Sequence, residues 1–268
     1  MYKKTILNGI LGVCLIIPAL SATAGFESGI PAGWTGVGNF GTITGVNGDV
    51  ATPPNGSTSY GYVTTSGGVN GSTPFGISGT TNGSNLKSTV FTAAAGDPLN
   101  FYFNYITSDG SGFADFGYAQ LLNAADLTQA ALIFTARTQP DGNIIPGFGL
   151  PPIDATVPVA PIIDGQTNWS PLGGSSGACF NGVGNGCGQT GWVLSAFNIA
   201  VAGNYLLEFG VANFSDTAFN SGLAFDGITV AGVPINPPSE VPVPAALPLM
   251  ASALAAFGLS RRRTSTKI

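Results

Sequence analysis

Chemistry needs side chains that take, give or hold charge, and this 268-residue chain offers few kinds. It has 13 Asp and Glu, eight Lys and Arg, three Cys and no His. Without an imidazole there is no Ser-His-Asp triad, no Cys-His dyad and no His-ligated metal. Glycoside hydrolysis needs only two carboxyl groups, and Asp109, Asp115, Asp216 and Asp226 are the candidates for that work. Their spacing singles out no pair, and Asp among Gly and Asn is usually a turn residue. Sugar rings stack on flat exposed rings. Trp169 lies in a stretch without regular pattern and is the candidate for such a contact or for loop packing. Trp34 and Trp192 sit in strand-like apolar settings and read as core.

The elements that must position these residues are strands. Leu99, Phe101, Phe103 and Tyr105 alternate with polar residues, the period-two pattern of a half-buried strand. Tyr205, Leu207, Phe209 and Val211 repeat it, with Glu208 pointing outward. Leu223–Val230 reads as a closing strand. Further strands are expected at 39–46, 59–65, 86–92, 115–122, 129–136 and 191–199, punctuated by Gly and Asn clusters. No long stretch has helical periodicity, so the body is an all-β sandwich or barrel. The segment 137–189, rich in Pro and Gly, is long for a structureless loop. It is a functional loop, a disordered insertion or a set of unrecognised strands.

The ends of the chain carry addresses. Lys3 and Lys4 precede an apolar run from Ile6 to Leu20, followed by Ala22-Thr23-Ala24. Charge, apolar run and small residues at a cleavage point are the anatomy of a secretory signal, with Ala22 and Ala24 as the cleavage residues. Cys14 lies inside the run behind Val13, which does not suit lipidation. With Cys14 removed, Cys179 and Cys187 remain, flanking a Gly- and Asn-rich stretch. In an exported chain two cysteines this close should form a disulfide. A zinc pair lacks the further Cys or His it would need.

At the other end, Val241-Pro242-Val243-Pro244-Ala245 leads into an apolar stretch ended by Arg261, Arg262 and Arg263. As a helix, Ala245 to Ser260 would reach about 24 Å against a hydrocarbon core of about 30 Å. The arginines favour the cytoplasmic side. The chain therefore divides into a signal peptide at 1–24, a β domain at 25–233, a Pro-rich linker at 234–240 and a tail at 241–268. The body, Gly25 to Glu240, has two basic residues (Lys87 and Arg137) against all 13 acidic ones, a net charge of about −11. That excludes a nucleic-acid footprint and leaves room for divalent cations.

A Pro-rich box, an apolar helix and an Arg cluster at the extreme C-terminus resemble the PEP-CTERM sorting signal of exopolysaccharide-producing Gram-negative bacteria, in its Val-Pro-x-Pro-Ala variant. The resemblance covers about the last 30 residues. It implies two processing partners, a signal peptidase and a membrane-embedded exosortase. It also implies a transient membrane stage and a final place at the cell surface or outside. A second resemblance lies at the edges of the body. Phe26-Glu27-Ser28-Gly29 with Pro31, Gly33 and Trp34 looks like the first strand of carbohydrate-binding jelly rolls, and Gly222–Val230 like the last. This implies a jelly-roll-like antiparallel sandwich, with exopolysaccharide as a possible partner. It also implies a structural calcium held by Glu27 and Asp226 from the two neighbouring strands. The expected role is non-enzymatic, with a carbohydrate-binding module and a His-free glycosidase as alternatives.

Overall fold

The structure is a computed structural model and describes residues 25–71, 75–138 and 144–235. The expected signal helix with Ala22 and Ala24 lies outside the described residues. So do most of the linker and the whole tail, including Val241–Ala245 and Arg261–Arg263.

In chain order the strands are β1 (Thr35–Val37), β2 (Asn39–Thr44), β3 (Ser59–Thr64), β4 (Val69–Asn70) and β5 (Thr80–Lys87). Then come β6 (Phe91–Ala93), β7 (Pro98–Thr107), β8 (Phe116–Asn123), β9 (Gln129–Arg137) and β10 (Ile163–Asp164). Last are β11 (Gly188–Gln189), β12 (Val193–Asn198), β13 (Gly203–Phe214), β14 (Ser221–Val230) and β15 (Val233–Pro234). They form two antiparallel sheets packed as a sandwich. One runs β1-β5-β13-β8-β9, with β4 beside β5 and β6 beside β13. The other runs β10-β11-β7-β14-β3-β2, with β12 beside β7 and β15 beside β14.

The expected alternation places the core. Leu99, Phe101, Phe103 and Tyr105 of β7 are fully buried, as are Leu207 and Phe209 of β13 and Leu223 and Phe225 of β14. Across the sandwich Phe103 stacks on Phe134 at 3.8 Å and Phe209 on Phe225 at 3.9 Å. Each such buried ring contributes about 1.5–3 kcal/mol over leaving it in water. Phe26 joins this core edge-on to both Phe225 and Trp34 at 5.5 Å. Gly61 makes room for it, because a Cβ there would lie 2.6 Å from the Phe26 ring.

Several expectations need correction. The segment from Phe26 to Trp34 is a series of turns, and strand pairing starts at Thr35. The run 86–92 is broken between Lys87 and Phe91: Lys87 ends β5 opposite Glu208, and Phe91 starts β6 opposite Tyr205 of the same strand β13. Pro234, assigned to the linker, belongs to β15, and Ile235 packs on the core.

The described parts of the segment 137–189 form a cover rather than a free loop. Its first part lines the outer edge of β9: Arg137 N–H donates to Ile144 O at 3.0 Å, and Asp154 N–H to Leu132 O at 2.7 Å. An edge dressed in this way cannot pair with another chain. Its later part lies on the outer face of the second sheet. There Trp169 and Leu172 bury themselves against Tyr60, Ile106 and Ala224 in a second apolar cluster. A face expected to meet solvent is thus an interior one.

Candidate functional site

Three places bring together groups able to do chemistry: the seam between the N-terminal turns and β14, the loop end of the sandwich, and a groove on the outer face of the first sheet.

At the seam, burial of Phe26 fixes the next residue, Glu27, at the surface beside β14. Asp226 follows the core residue Phe225 and so faces outward, yet it is fully buried. The cover is the loop 51–58. Asn55 Nδ2 donates to Asp226 Oδ2 at 2.7 Å and to Ser57 Oγ at 3.0 Å. The ladder with β7 slips just after Asp226, between it and Thr229. Gly227 takes φ +69° in that slip, a left-handed conformation that glycine supplies without strain, and its missing Cβ leaves space for the Asn55 amide. Asp226 Oδ1 is buried without a hydrogen-bond partner. A Cβ built on Gly25 would lie 2.5 Å from Glu27 Oε2 and 3.1 Å from Asp226 Oδ1, so the two carboxylate oxygens are no farther apart than the sum of those distances. Burial pushes the Asp226 carboxyl up to about 6; the Glu27 charge adds to the rise, while hydrogen bonds from Ser57, Asn55 and Gly227 oppose it. The two acids do lie near one another, though Glu27 comes from a turn rather than a strand. Asn55 and Ser57, 171 and 169 positions before Asp226 in the chain, carried no sequence signal. No group of three or more His, Cys, Asp or Glu able to hold a metal occurs among the described residues.

At the loop end, Cys179 and Cys187 form a disulfide with Cα atoms 5.6 Å apart, as expected. The loop it closes rests on the body through Ser111 N–H to Asn185 O at 2.9 Å and Thr138 Oγ1 to Gly186 O at 2.9 Å. Beneath lie Asp109 and Asp115, both buried. Asp115 is satisfied on both oxygens: Phe214 N–H donates to one at 2.9 Å and Ser221 Oγ to the other at 2.7 Å. Burial raises its carboxyl well above the ordinary range, with the charges of Asp109 and Asp216 adding. Asp109 accepts from Gly110 N–H at 2.7 Å through Oδ1, while its Oδ2 has no partner. Burial pushes Asp109 up to about 7, and the Asp216 charge contributes. Of the hydrolytic candidates, Asp109, Asp115 and Asp226 are all buried.

Trp169 is corrected too. It is 1% exposed, its indole N–H donates to Tyr60 Oη at 3.1 Å, and it meets Tyr62 edge-on at 5.9 Å. It is loop packing, and no sugar ring can stack on it. Trp34 is buried as expected. Trp192 is half-buried, donating its indole N–H to Ala51 O at 2.9 Å.

The third place was not foreseen. A groove of about 400 Å³ crosses the outer face of the first sheet, lined by Val37, Val69, Asn70, Lys87, Gln120 and Leu127 among others, with Glu208 in its floor. Strand register makes a polar row there: Lys87 is opposite Glu208, and Glu208 is opposite Gln120. Lys87 Nζ is 3.1 Å from Glu208 Oε2. Tyr118 Oη donates to Glu208 Oε1 at 2.9 Å, and Gln120 Nε2 reaches the same oxygen at 3.3 Å. Glu208 does face outward as expected, yet it is only 4% exposed. The available signal was a single Glu in an apolar strand and a single Lys in the exported body. Of the carboxylates, the groove lining among the described residues includes Glu208 alone, and hydrolysis of a glycosidic bond needs two.

Compared with known proteins, the chain matches no family model and no curated protein. Solved structures with some likeness include the K1 cleaved adhesin domain of Lys-gingipain from Porphyromonas gingivalis W83, at 11% identity over 77% of this chain and 94% of that one, TM-score 0.35. The K3 cleaved adhesin domain of the same protein is 15% identical over 78% of this chain and 97% of that one, TM-score 0.35. Alginate lyase AlgAT5, of polysaccharide lyase family 7, is 11% identical over 67% of this chain and 80% of that one, TM-score 0.31. Likeness at this level carries no argument about what the chain does.

Proposed function

We propose that this chain is an exported surface or matrix protein, trimmed by signal peptidase after Ala24 and by an exosortase at the tail, with a jelly-roll-like body in a non-enzymatic, interaction role. The Cys179–Cys187 bond is the observation that carries this reading. A disulfide closing a short loop persists in oxidising compartments and is rare in the cytoplasm. The sequence pattern of both ends supports the same destination. Intact-mass analysis of the secreted protein tests it: the mature mass lacks Met1–Ala24 and the Arg261–Arg263 cluster. A mature mass that still contains those arginines overturns exosortase sorting in favour of a permanent tail anchor.

The reading includes a structural calcium at the seam. Two neighbouring carboxylates, one with an unpartnered buried oxygen, suit a cation that takes several oxygen ligands at about 2.3–2.6 Å. Rotation of the Asn55 amide would present Oδ1 in place of Nδ2, and the Ser57 hydroxyl is a further neutral oxygen. The role is to tie the N-terminal turns to β14.

The groove favours a second reading, a carbohydrate-binding module for exopolysaccharide. A polar floor within apolar walls is the usual make-up of a small-ligand cleft. A glycan array run on the mature protein separates this from a purely structural role.

A further inference from the structure

We infer that the groove between Val37, Val69 and Leu127 over the Lys87–Glu208–Gln120 row binds a neutral polyhydroxylated chain, a hexose glycan without uronate or sulfate groups. The inference deepens the carbohydrate-binding reading and rests on it.

Glu208 is the starting point. An outward-facing position in β13 needs no charge, and a carboxylate that is 4% exposed has lost most of its hydration. Three donors restore what water would have supplied: Tyr118 and Gln120 to Oε1, and Lys87 to Oε2. Such a side chain is held in one orientation, and it holds its partners in turn. Lys87 spends one of three N–H donors on Glu208 and keeps its side chain 28% exposed toward the groove. Gln120 lines the groove at 5% exposure and gives its N–H to Glu208, so its amide oxygen is the acceptor it has left for a ligand. The floor therefore offers a donor on one side of Glu208 and an acceptor on the other, two strands apart. Hydroxyl groups, each both donor and acceptor, match that pair.

The charge balance decides the class of ligand. Lys87 is neutralised within the row by Glu208, so the floor has no surplus positive charge for an acidic sugar. The described body has only one other basic residue, Arg137, against many acids, and Arg137 lies under the loop end with its guanidinium 4.2 Å over the Phe214 ring. A polyuronate would meet a like-charged surface. The walls complete the match, since Val37, Val69 and Leu127 are 45%, 41% and 53% exposed around the row and present C–H surface to the C–H faces of a sugar. At about 400 Å³ the groove falls in the range of about 300–1,000 Å³ typical of ligand clefts.

The test is titration calorimetry of the mature protein with neutral hexose oligosaccharides and, separately, with uronate oligosaccharides. Gln120→Ala removes the acceptor, and Val37→Arg lays a long side chain across the groove from an exposed position. Val201→Arg, exposed away from the groove lining, is the control. The expected result is binding of the neutral set, weakened about fivefold or more by Gln120→Ala, abolished by Val37→Arg and unchanged in Val201→Arg, with melting temperatures of both arginine variants equal to the parent. Binding that survives both groove variants overturns the groove while leaving the carbohydrate reading intact. Preference for the uronate set overturns the ligand class, and no binding of either set by the parent overturns both.

Discussion

The seam and the loop end both bury carboxyl groups beside β14, and they do so to opposite effect. At the loop end, each oxygen of Asp115 accepts one hydrogen bond, from the Phe214 amide and from the Ser221 hydroxyl, while Asp109 beside it keeps one oxygen unpartnered. At the seam, Asp226 has one oxygen answered by Asn55 and the other left bare beside Glu27. The first arrangement is a closed knot that positions three chain segments. The second is an incomplete shell with an exposed carboxylate at its mouth. The tethers differ in the same way. The loop end is stapled by a covalent bond between residues eight apart, whereas the proposed calcium would join residues some two hundred positions apart through an ion taken from solution.

The largest expected effect breaks or upholds that contrast directly. Saturating calcium added to chelated protein should stabilise the fold by about 2.7 kcal/mol at one hundred times the dissociation constant, or about 5–10 °C in melting temperature for a body of this size. Asp226→Asn and Glu27→Gln should each remove the response. A calcium response that persists in both variants, or none in the parent, ends the distinction between the two regions.

Cys179→Ser with Cys187→Ser is expected to cost about 2.5 kcal/mol in the chain-entropy account, read as a lower melting temperature. The calcium increment should be the same in this double variant as in the parent. If it shrinks, the two regions are coupled and cannot be compared as independent tethers.

Proton linkage sharpens the comparison further. Asp109 has a folded pKa of about 7 against 3.8 for the free group, so the folded state holds its proton longer than the unfolded chain does. Its contribution to stability is full below about pH 4 and falls as pH rises toward and through 7. Asp109→Asn should therefore raise the melting temperature by about 3 °C or more at pH 8 and leave it unchanged near pH 4. Equal effects at both pH values would show that Asp109 carries no folded-state penalty.

The smallest effect is at the seam. Asp226, at about 6 when no ion is bound, should lose calcium to protons as pH falls below that value. The calcium increment in melting temperature should then be smaller at pH 5 than at pH 7.5. An increment independent of pH would place the ion away from Asp226.

Much of this was legible in the sequence because its physics is local. Period-two alternation fixed which faces of β7, β13 and β14 are inside. Two cysteines in a short Gly-rich stretch could hardly avoid one another, and the absence of His excluded whole classes of catalysis. The family-like edges of the body paired Glu27 with Asp226, and the fold does set them near one another. Other features depended on long-range placement. Trp169 read as a sugar contact or as loop packing until its segment, lying on the second sheet, buried it against Tyr60. Asp109 and Asp115 read as hydrolytic candidates or turn residues until the fold buried them. The groove exists because register sets Lys87, Glu208 and Gln120, from three strands far apart in the chain, in one row. Alternation tells which side of its own strand a residue faces, and composition tells what it can do there. What lies over that side is decided by chain arriving from elsewhere, and only the tertiary structure turned an outward Glu208 into the floor of a groove and an outward Asp226 into a buried carboxylate with one oxygen left unanswered.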